Sequence, residues 1–149
     1  MPDAFVRQPG EGRELHIFDA TLTLKATSAE TGQAAYSMVE GVFQPGGFYP
    51  LAHIHTDREE LFYVLEGEFD FLVADSTTQG AAGAFLHVPR GTLHQFRNAG
   101  STPARLLFLH SPGLEGFFLE LSTLAQDGRP NPETLSALMR KWAMEVVVP

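Results

Sequence analysis

Four side chains with metal-binding chemistry stand close together in the sequence. His53 and His55 lie two residues apart in the segment LAHIH, Glu60 opens the segment ELFYVLEG, and His94 lies in TLHQFRN. In a strand, alternate residues share a face, so His53 and His55 are expected to point the same way. Three imidazoles and one carboxylate suit one divalent transition metal ion, whether Fe, Mn, Ni, Co, Cu or Zn.

The surroundings of Glu60 support a role inside the fold. Alternation divides its segment into two apolar faces, which predicts a strand buried on both sides: Glu60, Phe62 and Val64 on one face, and Leu61, Tyr63 and Leu65 on the other. A buried carboxylate is costly unless it is paired or binds a metal. The neighbouring Glu59 is a competing ligand, but the same alternation turns it outward.

Several other side chains are interpreted more plainly. We expect His87 and His110 to be ordinary strand histidines, and His16 to lie on an N-terminal strand at a subunit contact. Arg58 and Arg90 lie in turns near the four residues and could reach the mouth of a site. The phenylalanines of the apolar segments could form the walls of a pocket or simply the core, and they are Phe62, Phe69, Phe71, Phe96 and Phe108.

The elements that must position these groups are short strands. Up to about residue 110, alternating or apolar runs such as TLTLK, EFDFLVA and ARLLFLH are separated by turn segments such as QPGG and DSTTQGAAG. This pattern is typical of an all-β barrel or sandwich. No alternation of strands with helices precedes residue 110, which argues against a parallel α/β sheet. The predicted barrel covers about residues 14–110.

The tail changes to a helical period, which predicts two C-terminal α-helices within about residues 112–144. The segment GLEGFFLELSTLAQ places its apolar residues on one face, and the break at Asp127–Pro130 is followed by Asn131, a predicted N-cap, and Pro132. One apolar face per helix predicts packing on the barrel as a lid, with docking of a partner as the alternative.

Composition limits the classes of function. The 149 residues fit a single domain covering 1–149, and the absence of cysteine excludes disulfides and thiolate sites and favours the cytoplasm. The net charge of −8 argues against a nucleic-acid partner. No apolar run is long enough to span a membrane, and the N-terminus is too polar for a signal peptide.

The spacing around the first histidines resembles a known family pattern. Gly47, His53, His55, Glu60 and Gly67 match the first cupin motif, G-x5-H-x-H-x3,4-E-x6-G. The segment from Gly83 to Asn98 matches the second, G-x5-P-x-G-x2-H-x3-N, and contains His94. Two long motifs in order form a strong signal. The flanks resemble small bacterial cupins of the quercetin-dioxygenase-like type.

The resemblance implies a double-stranded β-helix, or jelly-roll, barrel in which His53, His55, Glu60 and His94 hold one metal. It also implies a homodimer. The first hypothesis for function is a dioxygenase acting on a small aromatic or enolic substrate, with Glu60 accepting a substrate proton. The alternatives are a non-catalytic binder of a small ligand and a metal-dependent isomerase or lyase.

Overall fold

The computed structural model describes residues 2–147, and β-strands make up most of the regular structure. The elements of this range are β1 (Arg13–Ile17), β2 (Ala20–Ala26), β3 (Ser37–Phe43), β4 (His53–His55), β5 (Glu59–Glu66), β6 (Glu68–Val73), β7 (Ser76–Ala81), β8 (Phe85–Val88), β9 (His94–Asn98), β10 (Ala104–Ser111), α1 (Glu115–Ala125), α2 (Pro132–Lys141) and β11 (Met144–Val146), with a short 3-10 turn at Gly32–Ala34.

The strands form two antiparallel sheets. One has the order β1-β2-β3-β10-β5-β8 and the other the order β11-β4-β9-β6-β7. In β2, β3 and β10 buried residues alternate with partly exposed ones, so each strand turns one face toward the interior. The two inner faces enclose a core rich in aromatic side chains. The predicted all-β jelly-roll barrel with two C-terminal helices is therefore confirmed.

Gly67 makes the connection by which the chain passes from one sheet to the other, between β5 and β6. Its φ of 82° lies in the left-handed region, and a Cβ atom there would stand 2.7 Å from the Cβ of Ala104. Both constraints exclude a side chain at this position. The glycine that ends the first motif thus has a structural role.

Three expectations about the strands need correction. The segment DSTTQGAAG contains β7, an edge strand that the sequence analysis assigned to a turn. The second helix ends at Lys141, and Met144, the predicted end of the helical region, instead begins the strand β11. The outer face of β5 is not buried, because Tyr63 is 40% exposed and Leu61 and Leu65 are only half-buried. Neither helix covers this face, since α1 packs on β1 and α2 packs on β11.

The two helices close one end of the barrel. Asn131 caps α2 as predicted, because its Oδ1 accepts a hydrogen bond from the backbone N–H of Thr134 at 2.8 Å. Phe117 and Leu121 of α1 are buried, as are Leu138 and Met139 of α2. Across residues 2–147, neither helix has the length and apolar character needed to cross a membrane.

Candidate metal centre

The four candidate ligands come from both sheets and meet inside the barrel. His53 and His55 lie on β4 and His94 on the adjacent β9, where His94 is the register partner of His53. Glu60 lies on β5 of the opposite sheet. All four are at most 7% exposed. The barrel closure, rather than any local turn, therefore assembles this cluster.

The ligand atoms converge on a small volume. One nitrogen from each histidine and one oxygen of Glu60 all lie within 4.8 Å of one another. Glu60 Oε1 is 2.8 Å from His94 Nε2 and 3.2 Å from His55 Nε2, and His53 Nε2 is 3.3 Å from His55 Nε2. These distances would allow small side-chain shifts to place one ion among the four atoms.

Backbone carbonyls fix the orientation of two rings. His53 Nδ1 lies 2.6 Å from the carbonyl oxygen of Leu51, and His94 Nδ1 lies 2.9 Å from that of Thr92. A carbonyl oxygen can only accept, so each Nδ1 carries the proton and donates it. In the neutral ring the lone pair then stands on Nε2, which faces the cluster. This tautomer is the one a metal ligand requires.

The protonation states follow from burial and from Glu60. Burial, reinforced by the neighbouring histidines, lowers the pKa of His53 to about 3, and burial likewise lowers the pKa of His55. Burial acts to raise the pKa of Glu60, but the surrounding histidines outweigh it and hold that pKa well below its usual value. For His94, burial is outweighed by the hydrogen bond to Glu60, which raises its pKa.

The donor set fits a divalent transition metal. With His53 and His55 neutral and Glu60 ionised, the centre holds two imidazole lone pairs and a carboxylate in a buried volume. The raised pKa of His94 favours a proton beside the carboxylate when no metal is bound, and a metal would displace that proton. Nitrogen and oxygen ligands of this kind suit Fe, Mn, Co, Ni, Cu or Zn.

The other residues that the sequence analysis considered differ in burial and in their distance from the cluster. Glu59 is exposed while Glu60 is buried, and His87 and His16 are exposed on β8 and β1. His110 is different: its Nε2 lies 2.8 Å from Glu60 Oε2, and its side chain is 2% exposed. The sequence analysis treated it as an ordinary strand histidine. Only the alternation Leu106–Phe108–His110 on an inward-facing strand signalled its position.

A large apolar cavity adjoins the cluster. It measures about 360 Å³, and its wall includes His53, His55, Glu60 and His110. The rest of the wall is almost wholly apolar and combines barrel residues with residues of both helices, among them Phe43, Phe62, Phe96, Phe108, Phe117, Phe118, Leu121, Leu135 and Met139. Such a cavity suits a small hydrophobic molecule.

Two expectations about the wall need correction. Phe69 and Phe71 are buried in the core but do not line the cavity. Neither do Arg58 and Arg90: Arg58 is buried and donates to the carboxylate of Asp57 and to the carbonyl of Gly113.

The arginine that does line the cavity is Arg129, in the loop between α1 and α2. Its guanidinium lies 4.9 Å from the ring centroid of Phe18.

Comparison with known proteins agrees with this architecture. Residues 39–110 match the family model described as the cupin domain, Cupin_2. A solved RmlC-like cupin from Shewanella frigidimarina NCIMB 400 superposes with a TM-score of 0.64, covering 77% of this chain and 96% of that chain at 21% identity. Residues 39–110 therefore form a cupin domain of the cupin_2 type, and the chain has the cupin fold.

Curated relatives extend the similarity beyond the motifs. Quercetin 2,3-dioxygenase of Bacillus subtilis (strain 168) is 33% identical over 126 residues, which is 81% of this chain and 36% of the relative. Polyketide synthase CurC of Streptomyces cyaneus is 31% identical over 101 residues, covering 68% of this chain and 60% of the relative. The chain therefore spans less than two thirds of either relative.

Proposed function

We propose that this cupin binds one divalent transition metal through His53, His55, Glu60 and His94 and acts as a dioxygenase on a small aromatic or enolic substrate. The single observation that carries the proposal is that three members of the buried cluster, His53, His55 and Glu60, line the apolar cavity. Ligands and cavity together provide a place where a metal and a hydrophobic molecule can meet. The similarity to a quercetin 2,3-dioxygenase supports the choice of reaction.

We assign separate roles in metal binding, proton transfer and substrate orientation to the side chains of the site. A metal at this centre would supply Lewis-acid polarisation of the substrate oxygen and a centre for reaction with O₂. Glu60 is the carboxylate that borders the cavity, so we assign it the role of accepting the hydroxyl proton of the substrate. The aromatic walls exclude water and orient a flat substrate over the cluster.

Two alternative functions would use the same site. A non-catalytic cupin would use the metal only to hold a small ligand in the cavity. An isomerase or lyase would use the metal as a Lewis acid without O₂, and the similarity to a polyketide synthase is compatible with a substrate rich in enolic groups. The apolar wall favours an aromatic substrate over a sugar phosphate in either case.

We further propose that the chain acts as one domain, as a homodimer in the cytoplasm, with a small molecule rather than nucleic acid as its ligand. The absence of cysteine favours a reducing compartment. The net charge of −8 disfavours contact with a polyanion.

The reaction is tested by oxygen uptake. Protein loaded with Fe(II), Mn(II) or Ni(II) should consume O₂ when mixed with flavonols or related enols, while metal-free protein should not. Product analysis by mass spectrometry should show addition of oxygen to the substrate. Tight binding of the same compounds with no oxygen consumption and no product would instead support the binding protein, and product without oxygen uptake would support the isomerase or lyase.

A further inference from the structure

His110 and Glu60 form a buried pair across two strands of the first sheet. They are register partners in the antiparallel pair of β10 and β5. His110 Nε2 lies 2.8 Å from Glu60 Oε2, and the two side chains are 2% and 4% exposed. His110 lies outside both cupin motifs, so its place beside the cluster comes from strand register alone.

The two oxygens of Glu60 have different partners. Oε1 faces His55 Nε2 at 3.2 Å and His94 Nε2 at 2.8 Å, and these nitrogens are two of the candidate ligand atoms. Oε2 faces His110 Nε2. The carboxylate is thus held with one oxygen toward the proposed metal and the other toward His110.

The proton between His110 and Glu60 can be located. As a metal ligand Glu60 is a carboxylate, which can only accept hydrogen bonds. The other ring nitrogen of His110, Nδ1, is buried and has no hydrogen-bond partner within residues 2–147. The acceptor available to the ring is therefore Glu60 Oε2, so Nε2 carries the hydrogen and donates it.

The orientation of the His110 ring is set by its aromatic neighbours. The ring meets that of His55 edge-on, with centroids 5.0 Å apart and an interplanar angle of 78°. Phe108 and Phe118 contact its other sides at centroid distances of 6.2 Å and 5.8 Å. Phe118 belongs to α1, so the helical lid helps to hold the ring against Glu60.

We propose that His110 is a positioning residue, which restricts Glu60 to metal binding through Oε1 alone by holding Oε2 in a hydrogen bond. This inference rests on the metal centre proposed above. A carboxylate bound through both oxygens would occupy two coordination positions. Holding Oε2 away leaves one of them open for an external ligand. Partners that orient a metal ligand in this way influence metal affinity by about 10- to 100-fold.

The test compares Co(II) binding by wild type and three His110 variants. The visible absorption of bound Co(II) reports the number and geometry of its ligands, and titration gives the Kd. H110F removes the donor, and H110N keeps a polar side chain that is too short to reach Glu60. H110Q retains an amide N–H that can donate to Oε2. The matched control is H87F, because His87 is an exposed strand histidine.

We expect H110F and H110N to shift the Co(II) spectrum and to weaken binding by about 10- to 100-fold. H110Q should return most of the wild-type spectrum and affinity, and H87F should match wild type. Circular dichroism identifies any variant that does not fold. If H110F does not fold, the comparison of H110N with H110Q tests the inference.

Two results overturn the inference while leaving the metal site intact. One is a wild-type spectrum and Kd in a folded variant that lacks the donor. The other is an equal change of the Co(II) spectrum and Kd in H110N and H110Q. If wild type itself takes up no Co(II), the metal centre and this inference fail together.

Discussion

His53 and His94 face each other across β4 and β9 with their ring centroids 4.4 Å apart, and the same kind of hydrogen bond to the backbone orients both rings. In each case Nδ1 is bonded to the backbone carbonyl two residues earlier, that of Leu51 or Thr92. Both Nε2 atoms are therefore directed toward the cluster before any metal arrives. Such preorganisation reduces the cost of binding an ion.

The stability of the metal-free protein should depend on pH in both directions. His53 has a folded pKa of about 3 against 6.5 when unfolded, so its contribution is present above pH 6.5 and is lost as the pH falls toward 3. The loss is about 1.4 kcal/mol per pH unit for this group. His94 has a raised pKa, so its contribution is present below pH 6.5 and is lost as the pH rises through the raised value.

Urea unfolding at pH 5, 6.5 and 9 measures this dependence. The free energy of unfolding of metal-free protein should be greatest near pH 6.5. Metal-loaded protein should keep its stability at pH 9, because the metal replaces the proton on His94. The control is metal-free H94A, which should show no alkaline decline. A steady rise in wild-type metal-free stability up to pH 9 would contradict the assignment of this proton.

Glu60→Gln should separate catalysis from metal binding. The amide oxygen can still bind the metal weakly, but the amide cannot accept a proton from the substrate. We expect turnover to fall by about 100-fold or more while the larger part of the metal is retained. Metal analysis and oxygen uptake on the same sample measure both effects. The matched control is Glu59→Gln on the exposed neighbour, which should change neither. Equal losses of metal and turnover would remove Glu60 from the proton transfer.

Arg129 should favour ligands that carry a negative charge. Among the described residues, Arg129 is the only arginine or lysine that lines the cavity, and its guanidinium lies over the ring of Phe18. Arg129→Gln should weaken the binding of 2-naphthoate by about fivefold relative to neutral 2-naphthylmethanol, a change of about 1 kcal/mol. Calorimetry gives both Kd values, and Arg90→Gln is the control because Arg90 lies outside the cavity wall. An unchanged ratio in the Arg129 variant would exclude charge selection at this position.

The exposed face of β5 and β8 should form the homodimer contact. Tyr63 and Phe85 are register partners on these strands and are 40% and 61% exposed. Paired aromatic residues on an edge of the sheet need cover, and a two-fold contact would provide it. Light scattering at micromolar concentration should give twice the chain mass of 16.3 kDa, and Phe85→Lys should give the monomer. A wild-type mass of 16.3 kDa would refute the dimer.

Local sequence pattern was sufficient for most of the fold. Period-two runs such as ATLTLKA and ARLLFLHS became β2 and β10, and Asn131 caps α2 where the sequence placed it. These features depend on neighbours in sequence, so a single sequence contains their signal.

Features that depend on pairing with another segment were missed. β7 is polar and almost wholly exposed, and it is a strand because it pairs with β6 along its full length. β11 follows α2 closely and is a strand because it pairs with β4. His110 reaches Glu60 only through the register of β10 on β5. No periodicity within one segment reports such register.

The metal content of wild type, H53A and H94A tests the central claim most directly. Each protein is purified in the same way and analysed for transition metals by elemental analysis, with H87A as a control on the exposed strand histidine. We predict about one equivalent per chain in wild type and H87A and the loss of most of it in H53A and H94A, since four ligands share one site. Equal metal content in all four proteins would contradict the assignment of the site.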